Sequence, residues 1–283
     1  HRLVAQQLEE THPDQIEEVY ELLAHHYGLS DDRKQALTYL IKAGEKTRAA
    51  YANKEAIEFF TQAALLADHL GTPAENAAAA EGLGDVFYHV GQYEDALACF
   101  TRALSFRTRP LELAALYQRM GAVYEKRGDY ESALSQCANG RKLLGAEHAN
   151  SVERARLLTL ECRIHHQQGQ FEKAIEDGEQ ALTIIDDTSN YQEIAQAHNE
   201  LGNAYDEFGQ PDQSITHFER GLLILERIGD ELGAARINGN LARVYFQTDL
   251  QMSADYLGRT LATMQRLGDV WGAVGIARDI TER

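Results

Sequence analysis

A phrase of about forty residues recurs along this chain, and that recurrence limits the fold more than any other feature. Residues 83–104 read LGDVFYHVGQYEDALACFTRAL and residues 201–222 read LGNAYDEFGQPDQSITHFERGL. Related copies stand at 120–140, 161–182 and 241–261. Anchored on the small residue that opens each copy (Gly84, Gly121, Cys162, Gly202, Ala242), the spacings are 37, 41, 40 and 40 residues. A unit of this length cannot bury its own apolar face, so copies must stack on their neighbours.

Within a copy the apolar spacing is helical. Leu83, Gly84 and Phe87 share one face of a first helix, Gly91 ends it, and Tyr93, Ala96, Phe100 and Ala103 form the stripe of a second. Small residues stand where two helix axes cross closely, with aromatics filling the space beside them. The expected fold is therefore all-α: an α-solenoid of antiparallel helix pairs, about seven repeats long. Some copies are degenerate. Cys162 and Ala242 replace the first glycine, His165 the first aromatic, and Pro211 and Gln251 the aromatic after the turn. Cys137, Gly178 and Gly258 stand where the second helix would carry an aromatic.

Upstream the register is harder to read. Ala24 and Tyr27 match a first helix, and Ala36, Leu40 and Ala43 match a second. The next second-helix match, Ala56, Phe60 and Ala63, follows only 20 residues after Ala36. A short first helix at about 44–52 restores the alternation; a single helix from about 33 to 51 is the alternative. The expected division is a divergent helical segment at 1–76 and a regular array at 77–283. At the end, RLGDVWGAVGIARD (266–279) echoes RIGDELGAARINGN (227–240), which predicts a further, incomplete repeat.

Composition narrows function by exclusion. The net charge of −17 opposes nonspecific binding to nucleic acid or anionic lipid. No apolar run reaches the ~18–20 residues that cross a bilayer. Three cysteines at packing positions, Cys99, Cys137 and Cys162, read as reduced thiols of a cytoplasmic protein. Neither a phosphate-binding GxxxxGK[ST] nor a GxGxxG is present, and HExxH is missing. The adjacent pairs His25–His26 and His165–His166 point in different directions from a helix, unlike metal ligands at i, i+4. No catalytic residue, metal or cofactor is expected, and this segment is not read as an enzyme.

The repeat pattern resembles the tetratricopeptide repeat family over residues 77–261. In such arrays the first helices line a concave wall, and that wall here would carry Arg156, Arg163 and His166, then Asn199, Asn203 and Asp206, then Arg236, Asn240, Arg243 and Gln247. Arginine presents a planar fork to carboxylates, and asparagine both donates to and accepts from a peptide backbone. The expected ligand-binding set is Arg156, Arg163, Asn199, Asn203, Arg236, Asn240 and Arg243, suited to an extended peptide, an acidic segment or a terminal carboxylate. Pairing of the same side chains with Asp206, Glu200 or other neighbours in the stack is the competing use. Earlier repeats carry Glu81, Asp85, Tyr88 and His89 at the equivalent positions.

Residues 21–63 add a second resemblance, through LAHHY (Leu23–Tyr27), AGEK (Ala43–Lys46) and YANKEAIEF (Tyr51–Phe59). The segment is similar to the one that follows the nucleotide-binding core in signal-transduction ATPases with numerous domains. The later repeats, with RIGDELGAA, also resemble those of animal adaptors that hold G-protein regulators. The ATPase resemblance implies a sensor that restrains a nucleotide-binding core until a peptide, protein or small-molecule inducer binds; a constitutive scaffold is the alternative. With His1 at its start, the chain is expected to be a piece of a longer protein.

Overall fold

In the computed structural model, which describes residues 1–186, 188–246 and 248–267, the chain is all-helical. The chain divides into two compact units, one over His1–Asp129 and one from Tyr130 onward. The first unit holds α1 (Arg2–Thr11), α2 (Tyr20–Gly28), α3 (Arg33–Ala49), α4 (Asn53–Leu70), α5 (Pro73–His89), α6 (Tyr93–Leu104) and α7 (Pro110–Lys126), with a 3-10 turn at Ile16–Val19. The second holds α8 (Tyr130–Leu144), α9 (Val152–Gln167), α10 (Phe171–Ile185), α11 (Tyr191–Glu207), α12 (Pro211–Ile228), α13 (Glu231–Tyr245) and α14 (Leu250–Leu267). Within each unit consecutive helices lie side by side, α1 with α2, α3 with α4 and α5 with α6 in the first and α9 with α10, α11 with α12 and α13 with α14 in the second, as in an α-solenoid of helix pairs. The incomplete repeat expected at 266–279 lies almost wholly outside the described residues.

Local chemistry sets the helix ends. Asp32, Ser151 and Asp230 each accept a backbone N–H three residues ahead, at the starts of α3, α9 and α13. Pro73, Pro110 and Pro211 occupy first positions, where no amide donor is needed. Seven residues after the small residue of the first helix, the chain reverses through a left-handed residue: Gly91, Gly128, Gly169 and Gly209, with φ between 72 and 81°.

The upstream register is corrected by the structure. There is no separate short helix at 44–52; the single helix given as the alternative is the one present. Residues 33–49 form one helix, α3, and it is a first helix, not a second. Gly44 does what Gly84 and Gly202 do: a Cβ placed on it would stand 2.8 Å from the Phe60 ring, sixteen residues on. Gly84 faces Phe100 and Gly202 faces Phe218 at the same offset, each at 2.5 Å. Ala36, Leu40 and Ala43 therefore belong to a first helix, and Ala24 and Tyr27, on α2, to the second helix of the pair before it. Gly44 lies 40 residues before Gly84, so the regular array starts one full repeat earlier than the phrase at 83–104 suggests.

The register was hidden because the turn lacks its glycine. Seven residues after Gly44 stands Tyr51, at φ 58°, the one non-glycine with positive φ among the described residues. The residue is 74 % exposed, so packing does little to offset the backbone conformation. A left-handed conformation costs a residue bearing Cβ roughly 1–2 kcal/mol. Tyr51→Gly is expected to stabilise the chain by roughly 0.5–1 kcal/mol after glycine's greater unfolded freedom is subtracted. A urea-unfolding midpoint that stays put or falls would contradict this account of the turn.

The core is a series of aromatic plugs. Phe60, Phe100 and Phe218 are each at most 1 % exposed, and each such burial contributes about 1.5–3 kcal/mol. Phe60 also fills the space beside Gly82 of the following first helix, joining one repeat to the next. The degenerate repeat solves the same problem by exchanging sizes. At Gly178 an added Cβ would stand 2.6 Å from Leu201 and 3.2 Å from the Cys162 sulfur. The larger residue at the first-helix position and a leucine from α11 thus occupy the volume that a phenylalanine fills elsewhere.

Candidate functional site on the first helices

Helices α9, α11 and α13 present the side chains expected to meet a ligand, and most of them pair with one another across neighbouring repeats. Arg156 of α9 bonds Glu193 of α11, with its Nε 3.1 Å from the carboxylate. About two turns along the same helices, Arg163 lies 3.6 Å from Glu200. From the other side, Arg243 of α13 pairs with Asp206 of α11 and donates to Asn203 at 3.1 Å. Asn240 donates its amide to Asn199 at 2.9 Å. So α11 carries the acceptors, Glu193, Asn199, Glu200, Asn203 and Asp206, and is clamped by donors from both flanking first helices.

Of the seven candidates, six are thus gathered into this ladder. The seventh, Arg236, is exposed on α13 and makes no ion pair or hydrogen bond with the described residues. Gln247, expected on the same stripe, lies outside them. Sequence reading named the donors but missed Glu193 as a partner, although the signal was there. Arg156 and Glu193, Arg163 and Glu200, and Asp206 and Arg243 are each 37 residues apart. That is a little less than one repeat, which sets residues side by side on successive first helices.

The first unit repeats the arrangement. Acidic α5 lies between arginines of α3 and α7: Arg48 is 3.4 Å from Asp85, and Arg119 is 3.2 Å from Glu81 and 3.7 Å from Asp85. Arg107, in the loop before α7, adds a 2.7 Å contact to Glu81. Glu81 and Asp85 are therefore neutralised acids rather than an open acidic surface. Burial pushes the Asp85 carboxyl above its usual range, and the Arg119 and Arg48 guanidinium groups pull it back only in part.

Two further polar features lie in the second unit and were not assigned from sequence. Glu161 of α9 is 3 % exposed at a register held by Leu83, Met120, Leu201 and Leu241 in other repeats. Its Oε1 is 3.2 Å from Arg141, while Oε2 is buried without a hydrogen-bond partner. Burial lifts its pKa to about 7 against the opposing pull of Arg141. His198 of α11, 2 % exposed, faces His217 of α12 with their Nδ1 atoms 2.9 Å apart.

Among the described residues no cluster of three or more histidine, cysteine or carboxylate side chains is arranged to hold a metal, and no helix is long and apolar enough to cross a membrane. The three cysteines are free thiols, and burial raises the pKa of each.

Residues 193–266 match the family model described as tetratricopeptide repeat. Comparison with curated proteins gives no match. Among solved structures, the chain is similar to the Rap conjugation gene regulator of plasmid pLS20 in complex with the Phr* peptide. There the TM-score is 0.70 at 16 % identity, covering 89 % of this chain and 68 % of that one. It is similar to the Cut9–Hcn1 hetero-tetramer of the APC/C (TM-score 0.68, 17 % identity), covering 98 % of this chain but only 48 % of that one. It is also similar to a signal transduction ATPase with numerous domains carrying a tetratricopeptide repeat sensor, from Pyrococcus horikoshii (TM-score 0.65, 14 % identity, 93 % of this chain and 42 % of that one). The chain thus spans less than half the length of these last two. At such identities the likeness is one of fold.

Proposed function

We propose that this tetratricopeptide array is a protein-interaction module that binds an extended peptide or protein segment along the first helices of its second unit. The observation that carries the reading is the face itself. The half-buried amide pair Asn199–Asn240 and the amide of Asn203 share this face with Arg236, one turn before Asn240 on α13, an exposed cation with no partner among the described residues. Side-chain amides match the alternating donors and acceptors of a peptide backbone, and an unpaired guanidinium can take a carboxylate in a bidentate contact. Arg156, Arg163 and Arg243, which are already paired, set the spacing of the helices and exchange partners only if a ligand replaces the acids of α11. The peptide complex of the Rap regulator and the sensor named for the Pyrococcus ATPase support this reading through shared fold.

In a longer protein the same module would act as the sensor of a signalling ATPase, with residues 1–76 linking it to a nucleotide-binding core that it restrains until the inducer binds. An inducer shifts such an equilibrium only by binding the released form more tightly than the restrained one. A constitutive adaptor uses the same face without the switch.

The test is selection of a random peptide library on the wild-type chain, followed by calorimetry of the selected peptides. Arg236→Ala is expected to weaken their binding by about tenfold, the loss of one charge-assisted bond, with an unchanged melting temperature because Arg236 is exposed and unpaired. Asn199→Ala or Asn240→Ala is expected to weaken binding as well. Selected peptides that bind all three variants as well as wild type would remove the face from consideration.

A further inference from the structure

The strongest unassigned feature is the imidazole pair between α11 and α12. His198 Nδ1 and His217 Nδ1 are 2.9 Å apart, with ring centroids at 5.1 Å. The Tyr205 ring stacks on His217 at 5.3 Å, and its hydroxyl donates to Glu179 of α10 at 2.7 Å. Three helices thus meet through these rings. His198 occupies the register held by Leu158 in the repeat before and Asn238 in the repeat after, so the stack itself does not demand an imidazole there.

The contact has a definite proton count. Between two facing Nδ1 atoms only one proton fits: one ring donates and the other accepts. A first added proton can enter at an outer Nε2 and leave the bond in place. A second has only the accepting Nδ1, and it sets two N–H groups head to head at the same separation.

We propose that this pair is an acid-sensitive clasp: protons taken up on acidification break the α11–α12 contact and loosen α11, the helix that carries the acceptors of the proposed ligand face, so that binding responds to pH. The link to ligand rests on the function proposed above; the clasp does not. The groups facing the pair are few. Arg220 of α12 opposes protonation of both rings. Glu179 favours it at His217 but is already engaged by Tyr205. Asp186, just beyond α10, lies 3.9 Å from His198 Nε2, where it can accept the first proton's charge, and it also favours protonation of His217. From α13, Ile237 packs at Gly221, where His198 also meets that glycine, and it does not titrate. Burial lowers the pKa of both rings, that of His198 to about 4, so the clasp stays closed at neutral pH.

Hydrogen exchange of the full 283-residue chain tests the clasp directly. After correction for intrinsic rates, amides of α11 and α12 are expected to exchange about tenfold or more faster at about pH 5 than at about pH 7.5, with those of α3–α5 changing little. His198→Asn combined with His217→Gln is expected to abolish that difference. Equal protection at the two pH values in wild type would overturn the proposal, as would an undiminished acid response in the double variant. Should the double variant fail to fold, the wild-type contrast between the two sets of helices still decides. Peptides selected at neutral pH, titrated at both pH values, report the link to binding separately. A clasp that opens while affinity holds would refute the link alone.

Discussion

Gly202→Leu is expected to lower the unfolding free energy by roughly 1–3 kcal/mol, the range typical of overpacking a close-packed interior. Even the first added carbon would stand 2.5 Å from the Phe218 ring, a separation that side chains do not adopt, and Phe218 is fully buried with nowhere to retreat. The helical preference for leucine over glycine, at most about 1 kcal/mol, works in the opposite direction and is overcome. The repeat built on Cys162 and Gly178 shows that the stack tolerates a larger first-helix residue when the facing one shrinks. Phe218→Leu should therefore recover part of the loss in the double variant, giving a coupling of at least about 0.5 kcal/mol in a double-mutant cycle. Strictly additive single effects, or a melting temperature unmoved by Gly202→Leu, would mean that the two side chains do not share one volume.

The second large effect is a dependence of stability on pH that wild type conceals. Glu161 has a folded pKa of about 7 against an ordinary value of 4.5. Folding therefore holds a proton that the unfolded chain has lost, and stability falls as pH rises from about 4.5 to about 7. His198 has a folded value of about 4 against 6.5. There the unfolded chain binds the proton first, so stability falls as pH drops from about 6.5 to about 4. Over the shared window the two slopes oppose each other, each at most about 1.4 kcal/mol per pH unit, and the lowered pKa of His217 acts in the same direction as that of His198. Glu161→Gln removes one of them. The variant is expected to gain on the order of 3 kcal/mol relative to wild type above about pH 7 and almost nothing below about pH 4.5. Arg141, released from the pair, is 37 % exposed and can be solvated, so its loss of a partner offsets little of the gain. Denaturant unfolding across that pH range reads the difference directly. A variant no more stable than wild type at alkaline pH would show that Glu161 ionises without penalty.

How much was legible beforehand follows from the length scale of each signal. The helix pairs, the turn glycines and the facing of Gly84 on Phe100 and Gly202 on Phe218 are encoded at separations of seven and sixteen residues, where helix geometry alone dictates proximity. Where one such marker is replaced, the pattern misleads. Tyr51 stands in for a turn glycine, so the first helix of its repeat reads as a second helix, followed by a short extra one or running on as a single helix, and only the latter gives its extent. Gly44 with Phe60, at the same offset of sixteen, would have recovered the register. The donors of the candidate face could be named from their stripe, but whether they meet a ligand or each other depends on side chains about 37 residues away on the next first helix.

The recurring small–aromatic phrase by itself determined that paired helices must stack, because a unit of forty residues has too little interior to stand alone. It also determined which residues lie between the helices, since the helical period leaves each side chain only one face to occupy. Only the tertiary structure decided what the polar residues do. Arginines that look free on a helical wheel are held by acids of the neighbouring repeat, a glutamate is sealed at a leucine register, and two histidines share one proton between adjacent helices. Charge and protonation depend on distances of a few ångströms between segments far apart in the chain, and no periodicity encodes those.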